Sequence, residues 1–122
     1  MKEKSILIVD DELICVKFLI EILGADYCIY AAKDGNSAIG IAKKEIPDLI
    51  LLDVNMPDMD GFEVLSSLKM VEETKDIPVI FVSGYTDSDE KEKGLALGAR
   101  DFILKSGDAK VIREKVGKHI NN

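Results

Sequence analysis

Four apolar runs in this chain are each followed at once by a residue able to do ionic chemistry. Ser5-Ile6-Leu7-Ile8-Val9 leads into Asp10, Asp11 and Glu12, and Asp48-Leu49-Ile50-Leu51-Leu52 leads into Asp53 and then Val54-Asn55-Met56-Pro57. Val79-Ile80-Phe81-Val82 leads into Ser83-Gly84, and Asp101-Phe102-Ile103-Leu104 leads into Lys105-Ser106. Taken singly, these residues have ordinary readings: Asp10 or Asp11 as a helix N-cap, Asp53 as a turn former, Ser83 as a cap, Lys105 as a solvated surface lysine. Independent caps and turns would not select the set of groups that one reaction needs.

That reaction can be named from the groups. Carboxylates gathered together raise one another's pKa unless a cation is present. An all-oxygen donor set, with no His or Cys in it, selects a hard ion, and Mg²⁺ fits best because it takes few protein ligands and accepts phosphate oxygens. Asp10, Asp11 and Asp53 would hold the ion, with Asn55 contributing its backbone carbonyl. The metal and Lys105 would then aim positive charge at a phosphoryl group arriving at Asp53. Phosphoryl transfer asks a protein mainly for in-line positioning and neutralisation of the equatorial oxygens. Asp53 would act as the nucleophile and become an aspartyl phosphate, while Ser83 and Lys105 each bind a phosphoryl oxygen.

These residues can meet only if the elements bring one end of each run together. The nearly unbroken apolar runs at 5–9, 48–52 and 79–82 read as strands buried on both faces, while Tyr27-Cys28-Ile29-Tyr30-Ala31 and Asp101-Phe102-Ile103-Leu104 are weaker strands nearer an edge. Between them lie helices. Leu13, Val16, Ile20 and Leu23 recur at helical spacing before a stop at Gly24, and residues 36 to 45 form a second helix bounded by Asp34-Gly35 and Pro47. A third begins near Asp60-Gly61 with Phe62, Leu65 and Leu68 on one face; a fourth runs from roughly 87 to 97; a fifth presents Val111-Ile112, Val116 and Ile120 after a cap at Asp108. Five strands alternating with five helices predict an α/β fold, a parallel sheet with helices on both faces, whose ligand sits outside the carboxyl ends of the strands.

Composition agrees with one soluble domain over 1–122. Hydrophobic residues are 47% and charged residues 32% of the chain, a globular balance. A net charge of −7 argues against direct nucleic acid binding, which calls for a basic face. No apolar run approaches the ~20 residues of a membrane span, and the first residues lack the pattern of a secretory signal. Cys15 and Cys28 read as reduced core thiols of a cytoplasmic protein, and His119 as a solvated helix-end residue.

Asp10-Asp11, Asp53 with Met56-Pro57 and Gly61 after it, Ser83-Gly84, Gly98-Ala99 and Lys105 resemble, in order and spacing, the receiver domain of two-component response regulators. The resemblance covers the whole chain. It implies a flavodoxin-like five-stranded sheet of order 2-1-3-4-5, Mg²⁺ dependence, and phosphorylation by a histidine kinase or histidine phosphotransfer protein. It also implies self-catalysed phosphorylation and dephosphorylation rather than turnover of a separate substrate. Output would go to a downstream protein target or a fused output domain, and a stand-alone unit is the expectation here. Receivers use an aromatic on the last strand as a switch coupled to the Ser/Thr, and Phe102 falls there; its ordinary reading is a core aromatic. They also carry a proline after the lysine, commonly through a cis peptide, where this chain has Ser106. A non-proline cis bond costs ~3 kcal/mol, so a trans bond is expected, or a local adjustment that loosens Lys105.

Other classes fit less well. A flavin carrier on this fold would not place Asp10-Asp11-Glu12 where the phosphate binds, and neither common nucleotide-binding glycine motif is present. A haloacid-dehalogenase-like phosphatase needs a second Asp where Asn55 stands. The alternative that remains is a pseudo-receiver acting without phosphorylation. For a receiver, the fourth helix is the expected mobile element. Asp87 to Gly94 offers no large apolar anchor, and Gly94 adds about 1 kcal/mol of helix penalty. The predicted path of the signal runs from Asp53 to Ser83-Gly84, then to Phe102, then to this helix.

Overall fold

The computed structural model describes residues 3–84 and 88–121. Five strands, β1 (Ser5–Val9), β2 (Cys28–Ala32), β3 (Leu49–Asp53), β4 (Val79–Ser83) and β5 (Asp101–Leu104), alternate with five helices. The helices are α1 (Leu13–Leu23), α2 (Gly35–Glu45), α3 (Gly61–Lys69), α4 (Ser88–Leu97) and α5 (Ala109–Ile120). All four strand pairings are parallel, and the order is β2-β1-β3-β4-β5. The flavodoxin-like expectation is met strand for strand.

Burial explains why the apolar runs became strands. Every residue of β3 and of β4 is buried, as central parallel strands covered on both sides must be. Alternate side chains feed two cores. Leu7, Ile50, Leu52 and Phe81 meet α2 and α3 on one face; Ile6, Ile8, Leu51 and Ile80 meet α1 and α5 on the other. Edge strands β2 and β5 are only partly covered.

Caps set several of the helix starts. Asp34 accepts from Ser37 N–H at 2.8 Å, and Asp108 from Lys110 N–H at 2.9 Å. Asp60 and Glu63 form a reciprocal capping box at the start of α3. The sequence reading placed α1 correctly but chose the wrong stripe in part. Leu13 and Ile20 are exposed, and the buried face is Val16, Leu19, Ile22 and Leu23. The helix is apolar on more than one side, so periodicity alone does not select the face that meets the sheet. Cys28 is exposed on the edge strand and Cys15 is half-buried; both are free thiols, and neither is a core residue. Residues 85–87, where the fourth helix was expected to begin, lie outside the described residues.

Candidate functional site

The carboxyl ends of β1, β3, β4 and β5 bring the groups together. Asp10 follows β1, Asp53 ends β3, Ser83 ends β4 and Lys105 follows β5. Asp10 and Asp53 are almost wholly buried, at 3% and 2% exposure, while Asp11 is exposed at the rim. Carboxylate oxygens of Asp10, Asp11 and Asp53 all lie within 4.8 Å of one another. Lys105 Nζ reaches across to them, 3.2 Å from Asp53 Oδ1 and 3.1 Å from Asp10 Oδ2. No cis peptide occurs among the described residues. With Ser106 beside it, Lys105 still sits against both carboxylates, so the anticipated loosening is not seen.

Local backbone shapes the pocket around Asp53. The Asn55 N–H points to Asp53 Oδ1 at 3.4 Å. The loop then turns through Asp58, whose φ of 68° is left-handed, and returns so that Gly61 N–H donates to Val54 O at 2.8 Å. A Cβ on Gly61 would strike the Asp53 carbonyl and the Phe81 ring, so only glycine permits this approach. On the other side, Lys105 N–H donates to Ser83 O at 2.7 Å, tying the ends of β4 and β5. Ser83 is buried at this junction. Phe102 is half-buried, its ring centroid 5.4 Å from that of Phe81, which in turn lies 5.2 Å from Phe62.

Electrostatics follow from burial and crowding. Burial, reinforced by the Asp10 charge, raises the Asp53 carboxyl to about 6 even though Lys105 opposes the shift. Burial also works against the Lys105 charge, but hydrogen bonds to Glu12 and Asp10 and the charge of Asp53 outweigh it and hold the ammonium above the ordinary lysine range. Asp53 Oδ2 is buried with no hydrogen-bond partner, and Asp10 Oδ2 has only the Lys105 charge beside it. A buried, unpartnered Asp53 oxygen beside the carboxylates of Asp10 and Asp11 is what a cation site looks like from its protein side. The donor set is all oxygen and suits a small hard ion. A second grouping, Asp10, Glu12 and Cys15, also lies within 4.8 Å, but its thiol is a poor ligand for such an ion.

Two pairings escaped the sequence reading. Glu12 Oε1 lies 2.9 Å from Lys105 Nζ, across 93 positions of chain. His119 is not solvated: it is buried, with Nε2 3.1 Å from Asp101 Oδ2, while Lys115 binds the other oxygen of Asp101 at 3.3 Å. Neither pair has a local sequence signal, because each depends on which strand lies beside which helix.

The comparisons with known proteins agree with this geometry. The family model described as the response regulator receiver domain matches residues 6–117. Sporulation initiation phosphotransferase F of Bacillus subtilis is 36% identical over 121 residues, covering 98% of this chain and 96% of that protein. A probable cyclic di-GMP phosphodiesterase of Vibrio cholerae is 35% identical over 122 residues, which are 100% of this chain but 28% of that protein. The chain thus spans about a quarter of one relative and nearly all of another. Among solved structures, the Vibrio cholerae chemotaxis protein CheY4 superposes with a TM-score of 0.90 at 29% identity, covering 95% of this chain and 98% of that one. A response regulator from Chloroflexus aurantiacus gives 0.93 at 27% identity, covering 99% and 100%. With a family model matched over residues 6–117 and a relative 36% identical along nearly its whole length, this chain belongs to the response regulator receiver domain family of two-component signalling.

Proposed function

We propose that Asp53 is the phosphoacceptor of this receiver, and that Asp10, Asp11, Asn55, Ser83 and Lys105 complete its site. The observation that carries the assignment is the buried Asp53 carboxylate: its Oδ2 has no hydrogen-bond partner, its Oδ1 lies 3.2 Å from Lys105 Nζ, and carboxylate oxygens of Asp10 and Asp11 lie within 4.8 Å. Asp53 Oδ2 attacks phosphorus, and the bond to the donor's leaving atom breaks in line, so the electron pair departs with the donor. Lys105 moves from Asp53 to a phosphoryl oxygen, and the Ser83 hydroxyl donates to another. Asp10, Asp11, Asp53 and the Asn55 carbonyl would hold Mg²⁺, which would supply charge neutralisation for the transferring group. The phosphodonor is a cytoplasmic histidine kinase domain or histidine phosphotransfer protein. Among the described residues no helix is long and apolar enough to cross a membrane. The domain catalyses only its own phosphorylation and its loss.

Output leaves by the α4–β5 surface. A groove of about 340 Å³ opens beside Phe102, lined by Leu104, Val111, Lys91 and Lys115. Ser83, the last residue of β4, is among its lining residues, so the groove begins on the same rim of the sheet as Asp53. The reader of that surface is a separate target protein or a fused output domain. A pseudo-receiver is disfavoured because acceptor, acidic pair and lysine are all present and mutually in reach.

Incubation with Mg²⁺ and acetyl phosphate should modify Asp53 alone, as read by intact-mass and peptide mass spectrometry after reduction with borohydride. Asp53→Ala should abolish modification. Labelling of Asp53→Ala at the wild-type rate would overturn the assignment.

A further inference from the structure

Glu12 stands at the N-cap of α1, yet its side chain makes no capping hydrogen bond. The Glu12 N–H itself donates to Asp10 Oδ1 at 2.9 Å, just ahead of the helix. The Glu12 carboxylate meets Lys105 Nζ at 2.9 Å, with only the Cys15 thiol, at 3.9 Å, as a weak second donor to the same oxygen. A lysine ammonium has three protons. In this structure three carboxylates face them: Glu12 at 2.9 Å, Asp10 at 3.1 Å and Asp53 at 3.2 Å. The three acids are not equivalent. Asp10 and Asp53 are pinned at 2% side-chain exposure, whereas Glu12 is 63% exposed and has open solvent to swing into. Any anion that comes to Lys105 must displace one of them, and Glu12 is the one whose release costs least.

We propose that Glu12 is a place-holder for the phosphoryl group: in the unphosphorylated protein its carboxylate occupies the Lys105 proton that the incoming phosphoryl oxygen must take. Glu12 is therefore a positioning residue that acts through Lys105, keeping the ammonium extended across the site while competing with the transferred group for it. The inference rests on Asp53 being the acceptor. Because the Glu12 side chain is largely solvated, its competition is worth about two- to five-fold in binding, the range of an exposed ion pair.

The test uses beryllofluoride, a stand-in for the phosphoryl group on Asp53, with Mg²⁺ and full-length protein, its bound form read by ¹⁹F NMR. Glu12→Gln keeps the size and removes the charge, and should bind beryllofluoride about two- to five-fold more tightly than the parent. Loss of a negative charge could produce the same gain from the field alone, so the measurement is repeated on Lys105→Met. If Glu12 acts by holding Lys105, Glu12→Gln gains nothing further in that background. Equal or weaker binding by Glu12→Gln overturns the place-holder, as does an undiminished gain without Lys105. Failure of the parent protein to bind the probe would instead remove the Asp53 assignment, and the inference with it.

Discussion

α3 and α4 lie side by side on the same face of the sheet and meet the same row of phenylalanine rings, yet they are held very differently. α3 opens on a capping box and buries Gly61, Phe62, Val64, Leu65 and Leu68. α4 buries Gly94 alone, and its Leu95 and Leu97 are exposed. Gly94 has no room for a side chain: a Cβ there would come within 2.8 Å of the Phe102 ring and 2.9 Å of Phe81. One helix is locked to β3 and the loop after Asp53 by interdigitated side chains. Its neighbour rests backbone-on-ring against the aromatic that borders the groove. A signalling domain needs both kinds of attachment, because the site must hold its geometry while some adjoining surface moves.

Truncation separates the two helices most sharply. Leu65→Ala should cost about 2–5 kcal/mol by leaving a cavity under α3, whereas Leu95→Ala on α4 should cost under about 1 kcal/mol. Urea denaturation of the two variants measures the difference. Comparable losses would mean that α4 is anchored as firmly as α3.

Charge sharpens the same contrast, because the locked half carries a buried acid it cannot move away from. Asp53 has its carboxyl raised to about 6 by burial and by Asp10, so the folded protein holds that proton more tightly than the unfolded chain. Between the ordinary aspartate value and 6 the folded state binds more protons, and stability falls as pH rises through that window. The cost is complete above 6 and absent below the unfolded value. In EDTA, Asp53→Asn should therefore be more stable than wild type by about 2 kcal/mol at pH 8, with the advantage gone near pH 4. A pH-independent difference would mean that the site is not strained by its own charge.

Gly94→Ala gives the smallest effect. The alanine gains about 1 kcal/mol of helix propensity and meets the two rings. If α4 can lift from them, net stability changes by less than about 1 kcal/mol, while amide exchange in residues 88–97 accelerates relative to α1. A loss as large as that of Leu65→Ala would show that α4 has no outward position to take.

Much of this was legible in the sequence, for a physical reason. A parallel sheet buried on both faces writes its strands as apolar runs, and its topology sends whatever follows each run to one rim. That is why Asp10, Asp53, Ser83 and Lys105 could be gathered before any coordinates. What local spacing cannot carry is the partner across the fold. Gly94 looked like a weakness in a helix and is a contact surface. His119 looked solvated and is paired with Asp101. Leu13 and Ile20 looked like core, because α1 has more apolar residues than one face can bury.

The opposite rim of the sheet has its own consequence. There the chain passes from α3 to β4 through residues 70–78, closed by Thr74, whose buried Oγ1 donates to Leu68 O at 2.6 Å. Met70 is fully displayed at the start of that passage. Among the described residues this rim lies away from the carboxylate pocket, since a parallel sheet places every strand-to-helix turn at one end and every helix-to-strand turn at the other. Lineages and engineers can therefore rewrite the two rims independently, altering surface loops or grafting a tether at one pole while the chemistry at the other is inherited unchanged.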